Sequence, residues 1–321
     1  MMRATFTFTL STVLLFFSAL GEGSSASSRI LPSVTEFFEV LQDNLTEVTW
    51  EHAVNSQAAL KEALNSSDIM MIEADIVLGY LEGNSTFQLP VMAHPPSNTS
   101  DLSFEDFLNQ VIQNKAHGIK LDFKSLEAFN ASCTILQSRR ENMTFPVWLN
   151  ADILDGPVNS SLIGEPVDAT KFLQLAVTHL PNATLSLGWK TRYGTDYNIT
   201  DGSYSEANVE EMIKTISNVS LPITYPMRAG LVANSLSAIE KLLNESANGT
   251  TLTVWSSAGD SVDNETLSDV IKKIGVSRVY VDVPDELWGR LDLKSSPSSG
   301  IKIGAVAFGT LLAAFLFAKF F

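Results

Sequence analysis

Cysteine is all but missing: Cys133 stands alone in 321 residues. No internal disulfide can form, so the fold must rest on a core large enough to hold itself together. Basic residues are also scarce, with 21 Lys and Arg against 36 Asp and Glu and a net charge of -15. That balance argues against nucleic acid as a partner and against holding anionic lipid by charge alone. Neither a G-x-G-x-x-G nor a Walker-type loop follows the first strand-like run, which disfavours a doubly wound nucleotide-binding sheet. Histidine is limited to four residues, and two of them, His117 beside Gly118 and His179 before Leu180-Pro181, read as structural.

What is present begins with the two ends. Residues 1–21 carry Arg3, an apolar run from Leu10 to Leu20 and the small-x-small close Ala19-Leu20-Gly21, the pattern of a secretory signal peptide. Residues 295–321 place Ser, Pro and Gly before an apolar segment from Ile303 to Ala318, the pattern of a GPI-attachment signal. A retained single-pass helix is the alternative, although no basic stop-transfer cluster follows beyond Lys319. Thirteen of the nineteen Asn residues lie in N-x-S/T, whereas the Ser and Thr content predicts roughly four. All three features imply a glycoprotein tethered at the cell surface through the secretory pathway, with residues 30–292 as one domain.

Within that domain, eight short apolar runs rich in β-branched or aromatic residues read as strands: 48–54, 69–78, 118–123, 146–154, 183–189, 221–229, 251–255 and 276–283. Helical spacing separates them, as at Phe104, Phe107, Leu108, Val111 and Ile112 after a cap at Ser103, and at Leu267, Val270, Ile271 and Ile274. Val209, Met212, Ile213 and Ile216 repeat the spacing after Ser203, with Glu206 completing a capping box. A short helix is predicted within 30–45, and the long stretch from Gly79 to Ser100 reads as a loop. Near-continuous apolar strands alternating with amphipathic helices predict a (β/α)8 TIM barrel, whose reactive groups lie at the C-terminal strand ends.

The polar residues at those ends suggest a site. Glu73 and Asp75 share one face of the second run, two like charges that call for a cation or a held proton. With Asp122 from the third run they form an oxygen-donor set suited to one Mg2+ or Ca2+ ion; Zn2+ fits less well, with two His nearby and no Cys. His52 and His94 are the candidate general acid and base, and Lys124 the candidate phosphate contact. Each also has a plainer reading: His52 beside Trp50 as a structural histidine, His94 as part of a loop turn, and Asp122 with Lys124 as an internal ion pair. Asn150 and Asp152 could simply stop a strand.

The order His52, Glu73-x-Asp75, His94, Asp122-x-Lys124 resembles that of glycerophosphodiester phosphodiesterase barrels and of sphingomyelinase D-type phospholipases, with Trp255 matching a late Trp. The segments EADIVL, MAHPP, GIKLDFK, PVWLNADILDGP, LSLGWK and VWSS are similar to the menorin family of secreted or membrane-tethered animal proteins. The resemblance implies a barrel of the phospholipase C-like phosphodiesterase type, with Glu73, Asp75 and Asp122 as metal ligands, His52 and His94 as acid/base groups and Lys124 on the phosphate. One departure stands out: the phosphodiesterases continue His with Arg-Gly, whereas His52 is followed by Ala53-Val54-Asn55. Two functions follow as expectations. One is a phosphodiesterase acting on an extracellular phosphodiester or lipid head group. The other is an inactive barrel serving as a ligand or adhesion partner of extracellular proteins in tissue or neuronal patterning. Arg228 is the one candidate to replace the missing arginine.

Overall fold

All eight predicted runs form strands in the computed structural model, which describes residues 31–294. The two end segments, 1–21 and 295–321, lie outside the described residues. In chain order the strands are β1 (Trp50–Glu51), β2 (Met71–Leu81), β3 (Asn84–Met92), β4 (Thr99–Ser100), β5 (Gly118–Phe123), β6 (Val147–Asp155), β7 (Thr184–Lys190), β8 (Ile223–Arg228), β9 (Thr251–Trp255) and β10 (Val279–Asp282). Eight of them run parallel in the order β1-β2-β5-β6-β7-β8-β9-β10. This is a (β/α)8 barrel, nearly closed.

Its helices are α1 (Val34–Phe37), α2 (Gln57–Asn65), α3 (Phe104–Asn114), α4 (Leu126–Arg139), α5 (Ala169–His179), α6 (Glu206–Thr215), α7 (Ala229–Val232), α8 (Leu236–Glu245), α9 (Asn264–Ile274) and α10 (Asp285–Trp288). The outward side chains of the strands, such as Ile72, Ala74, Ile119, Leu121, Leu149 and Ala151, pack with Phe104, Phe107, Phe129, Phe172 and Ile271 in one continuous core. Burial on both faces is why these strands read as unbroken apolar runs. None of the helices among the described residues is long and apolar enough to cross a membrane.

Three local expectations change. The stretch from Gly79 to Ser100 is largely a hairpin: β2 runs on to Leu81, and β3 returns antiparallel beside it with Ile76 opposite Met92. Gly83, at φ +79°, makes the turn, a backbone conformation that glycine adopts without a Cβ clash. The Asn, Ser and Pro content of the segment disguised its alternation. Helix α6 is capped by Ser205 with Asn208, two residues after the Ser203–Glu206 pair. The helix within 30–45 ends at Phe38, where φ -110° and ψ 76° leave the helical region, and short 3-10 turns follow.

The interior changes character along its length. At the N-terminal end Trp50, Met71, Trp148 and Tyr280 fill the barrel and pack on Val34, Leu41, Leu45 and Val48 beneath it. Two residues further along the same strands, and so on the same inner face, stand His52, Glu73, Asn150 and Asp282. The plug below closes the charged layer off from the N-terminal end of the barrel.

No ladder joins β10 to β1 among the described residues. Three other contacts close the seam. Leu45 N–H donates to the Val276 carbonyl at 2.9 Å, the Trp50 and Tyr280 rings lie 6.4 Å apart edge to face, and His52 meets Asp282 at 3.0 Å.

Candidate active site at the barrel mouth

The register places Asp75 opposite Asp122 and Asp122 opposite Asn150, so β2, β5 and β6 present their polar groups at one level. One oxygen each from Glu73, Asp75 and Asp122 lies within 4.8 Å of the others. Glu73 and Asp75 are buried, at 1% and 3% exposure, so their charges depend on partners. Glu73 accepts from the Ala53 backbone N–H at 2.9 Å. Asn55 grips Asp75 twice, donating to its carboxylate at 2.7 Å and accepting from its backbone N–H at 2.9 Å. Asn150 donates to Asp122 at 2.7 Å and is itself held by the Ser186 hydroxyl at 2.6 Å.

The Lys124 ammonium sits between Asp75 and Asp122, at 2.7 and 2.6 Å. Burial opposes its charge, but the carboxylates of Asp122, Asp75 and Glu73 outweigh burial and hold its pKa well above the ordinary lysine value. Burial likewise acts against the charge on Asp122, and Lys124 and Lys120 reverse this and lower its pKa. Glu73 is raised, chiefly by its own burial. An all-oxygen donor set of three converging carboxylates fits a hard divalent cation. The three could hold a metal ion.

His52 ends β1 with Nε2 3.7 Å from Glu73 and Nδ1 3.0 Å from Asp282. Desolvation pulls its pKa down, yet the charges of Glu73 and Asp282 overcome this and raise it to about 9. At neutral pH the ring is therefore an imidazolium, a proton donor. Ala53, next in the chain, takes φ +56°, and this left-handed turn is what aims its N–H at Glu73. Below His52 the buried Lys120 ammonium lies 3.9 Å from Asp282 and 6.0 Å from the Trp50 ring centroid. A cavity of about 730 Å3 runs along the seam beside His52, lined by Trp50, Ser256, Asp285 and Trp288 among others.

Two further sequence candidates make other contacts. His94 is exposed at the rim, its Nδ1 2.7 Å from the Pro95 carbonyl, and its neighbour Ala93 donates a backbone bond to the Asp75 carbonyl. Arg228 is not available to replace the missing arginine. Asp260 holds its guanidinium in a fork at 2.8 Å through both Nε and Nη2, above the Trp255 ring at 4.8 Å. Asp282 and Asn55 are the residues whose roles the sequence did not disclose. Asp282 lies 230 positions from the histidine it holds, beyond the reach of any local pattern, while Asn55 broke no pattern that would have marked it.

An eight-stranded parallel barrel whose mouth gathers three carboxylates, a lysine and an imidazolium defines the class: a (β/α)8 protein with an acid-and-histidine site at the C-terminal strand ends. The family model described as the Menorin N-terminal domain matches residues 44–288. Human protein FAM151B is 36% identical over 266 residues, spanning 83% of this chain and 92% of that protein. The chain belongs to the menorin family. Among solved structures, a glycerophosphoryl diester phosphodiesterase from Parabacteroides distasonis aligns over 84% of this chain and 96% of its own at 12% identity and a TM-score of 0.45. A second phosphodiesterase from that organism covers 76% and 96% at 10% identity and a TM-score of 0.39. These are distant likenesses, and the site is read from its own geometry.

Proposed function

We propose that this protein is a metal-dependent phosphodiesterase of the cell surface, acting on an extracellular phosphodiester or lysophospholipid head group. The observation that carries the reading is the convergence of Glu73, Asp75 and Asp122 with His52 and Lys124 in one mouth. Glu73, Asp75 and Asp122 would hold Mg2+ or Ca2+, which polarises a phosphoryl oxygen when bound. Lys124 neutralises a second phosphate oxygen. His52, held by Asp282, donates its proton to the departing oxygen; the bond from Asp282 to Nδ1 orients the ring for that transfer. Secretion, glycosylation and a lipid anchor at 295–321 belong to the same proposal. None of the thirteen sequon asparagines is buried, which supports glycosylation.

The test is turnover by the purified glycoprotein loaded with Mg2+ or Ca2+, against glycerophosphodiesters and lysophospholipids. We expect His52→Ala to lower turnover by about 10²–10⁴-fold. Asp122→Asn should weaken metal binding, read by calorimetry, by about tenfold or more. Full turnover by His52→Ala would rule the mechanism out. A second reading, an extracellular ligand or adhesion partner that has lost turnover, is favoured by the sequestration of Arg228 on Asp260. It predicts that patterning phenotypes survive alanine at both His52 and His94.

A further inference from the structure

The cleavage proposed above needs two proton transfers, and its geometry supplies one donor. An in-line displacement at phosphorus puts the entering and departing oxygens on opposite sides, so the two transfer groups belong on opposite flanks. Both histidines occupy one flank. His52 ends β1, and β3, which leads to His94, lies on the β1 side of β2, because Ile76 pairs with Met92 on one side and with Phe123 of β5 on the other. The opposite flank of the triad is β6.

We propose that Asp152 is the second proton-transfer group of this site, facing the triad from β6; the inference rests on the phosphodiesterase reading. Asp152 lies two residues beyond Asn150, whose amide binds Asp122, and so shares its inward face. It does not stop the strand, which continues to Asp155. Opposite it stands Gly188, where an added Cβ would come within 2.5 Å of the Asp152 Oδ1. The missing side chain is what gives the carboxyl its place.

The other acids of the inner layers are engaged: Glu73 by Ala53, Asp75 by Asn55 and Lys124, Asp122 by Lys124 and Asn150, and Asp282 by His52. Among the described residues nothing donates a hydrogen bond to the Asp152 carboxyl. The charged and titratable groups that face it are Asp122, Lys124 and Lys120 from β5, Lys190 from β7 and Tyr204 ahead of α6. Their donors are engaged or distant: Lys124 is shared by Asp75 and Asp122, and Lys190 is bound to the Ile163 and Glu165 carbonyls. Burial and the charge of Asp122 raise the Asp152 pKa to about 7, where a general base works best near neutral pH.

In the step, the attacking water gives its proton to the Asp152 carboxylate as its oxygen bonds to phosphorus. The bond from phosphorus to the departing oxygen breaks, and that oxygen takes the proton of His52. Asp152 then releases its proton to solvent while His52 takes one up, and the net reaction is hydrolysis to a phosphomonoester and an alcohol.

The test compares wild type with Asp152→Asn and Asp152→Ser as full glycoproteins with Mg2+, on bis(p-nitrophenyl) phosphate and lysophosphatidylcholine from pH 5 to 9. The expected result is a fall in kcat of about 10²-fold with KM little changed. The acid limb of the wild-type pH profile disappears in the variants, and Asp152→Glu restores part of both. Melting at pH 8 shows which variant is folded, and either folded one decides. A folded variant within threefold of wild type and with the same pH profile overturns the role of Asp152 while leaving the phosphodiesterase reading intact. Absence of turnover by wild type on both probes, with metal bound, overturns that reading and this inference together.

Discussion

The two ends of the barrel interior are built by the same strands and differ by a step of two residues. Trp50 gives way to His52, Met71 to Glu73, Trp148 to Asn150 and Tyr280 to Asp282. Below, aromatic rings pack edge to face, with Trp148 and Tyr280 at 4.8 Å and Trp50 and Trp148 at 5.5 Å. Above, carboxylates, ammonium groups and an imidazolium pair with one another. The difference shows how a barrel can carry charge near its axis. Water is excluded from one end by volume, so every ionised group above must find a partner or open toward the mouth.

The contrast can be broken from below. Trp148→Ala removes the largest piece of the plug and should cost about 3–5 kcal/mol of stability by chemical denaturation, with the melting loss accompanied by freer solvent exchange at the charged layer. A loss under 1 kcal/mol would mean that the rings do not support the layer above.

From above, the contrast sharpens with pH. Asp152 has a folded pKa of about 7 against the ordinary aspartate value of 3.8, so the fold favours its neutral form. That contribution is fully present below pH 3.8 and is lost as the pH rises through 7. In metal-free protein Asp152→Asn should therefore match wild type at pH 3.5 and exceed it at pH 8 by on the order of 1–3 kcal/mol, reduced from the full linkage because the group is not wholly enclosed. Equal stabilities at pH 8 would mean that the ionised carboxyl carries no such burden.

The smallest effect belongs to the turn just beyond His52. Ala53 holds φ +56°, a region costly to residues with a Cβ. Ala53→Gly should stabilise by about 0.5–1 kcal/mol, the relief of strain exceeding the entropy gained by the unfolded chain. A lower Tm for Ala53→Gly would place the strain elsewhere.

Much of this was legible in the chain. Strands buried on two faces announce themselves as apolar runs, and E-x-D and D-x-K spacings put Glu73, Asp75, Asp122 and Lys124 on inner faces whichever strands lay between. What stayed hidden depends on partners distant in sequence. The engagement of His52 by Asp282 follows from how the last strand wraps round to meet the first, and that of Arg228 by Asp260 from the loop after β9, 32 positions on; no short window of residues contains both members of either pair. The hairpin of β2 and β3 was masked because its outer half faces solvent, where Asn84, Ser85, Thr86 and Gln88 satisfy a strand and a loop equally well. The space for the Asp152 carboxyl depends on Gly188 across the ladder, and a carboxylate to which none of the described residues donates a hydrogen bond leaves no mark in sequence.

The unzipped joint between β10 and β1 gives the site a mechanical side. Among the described residues the eight parallel strands make seven ladders, and near the mouth the eighth junction is an ion pair between the His52 imidazole and Asp282. Anything seated on His52 and anchored to the triad on β2 and β5 therefore spans the free edge of the sheet like a clasp. Occupancy and closure share one free energy, so a ligand that grips the histidine also tightens the barrel, and a barrel drawn shut at this edge grips its ligand more firmly in return.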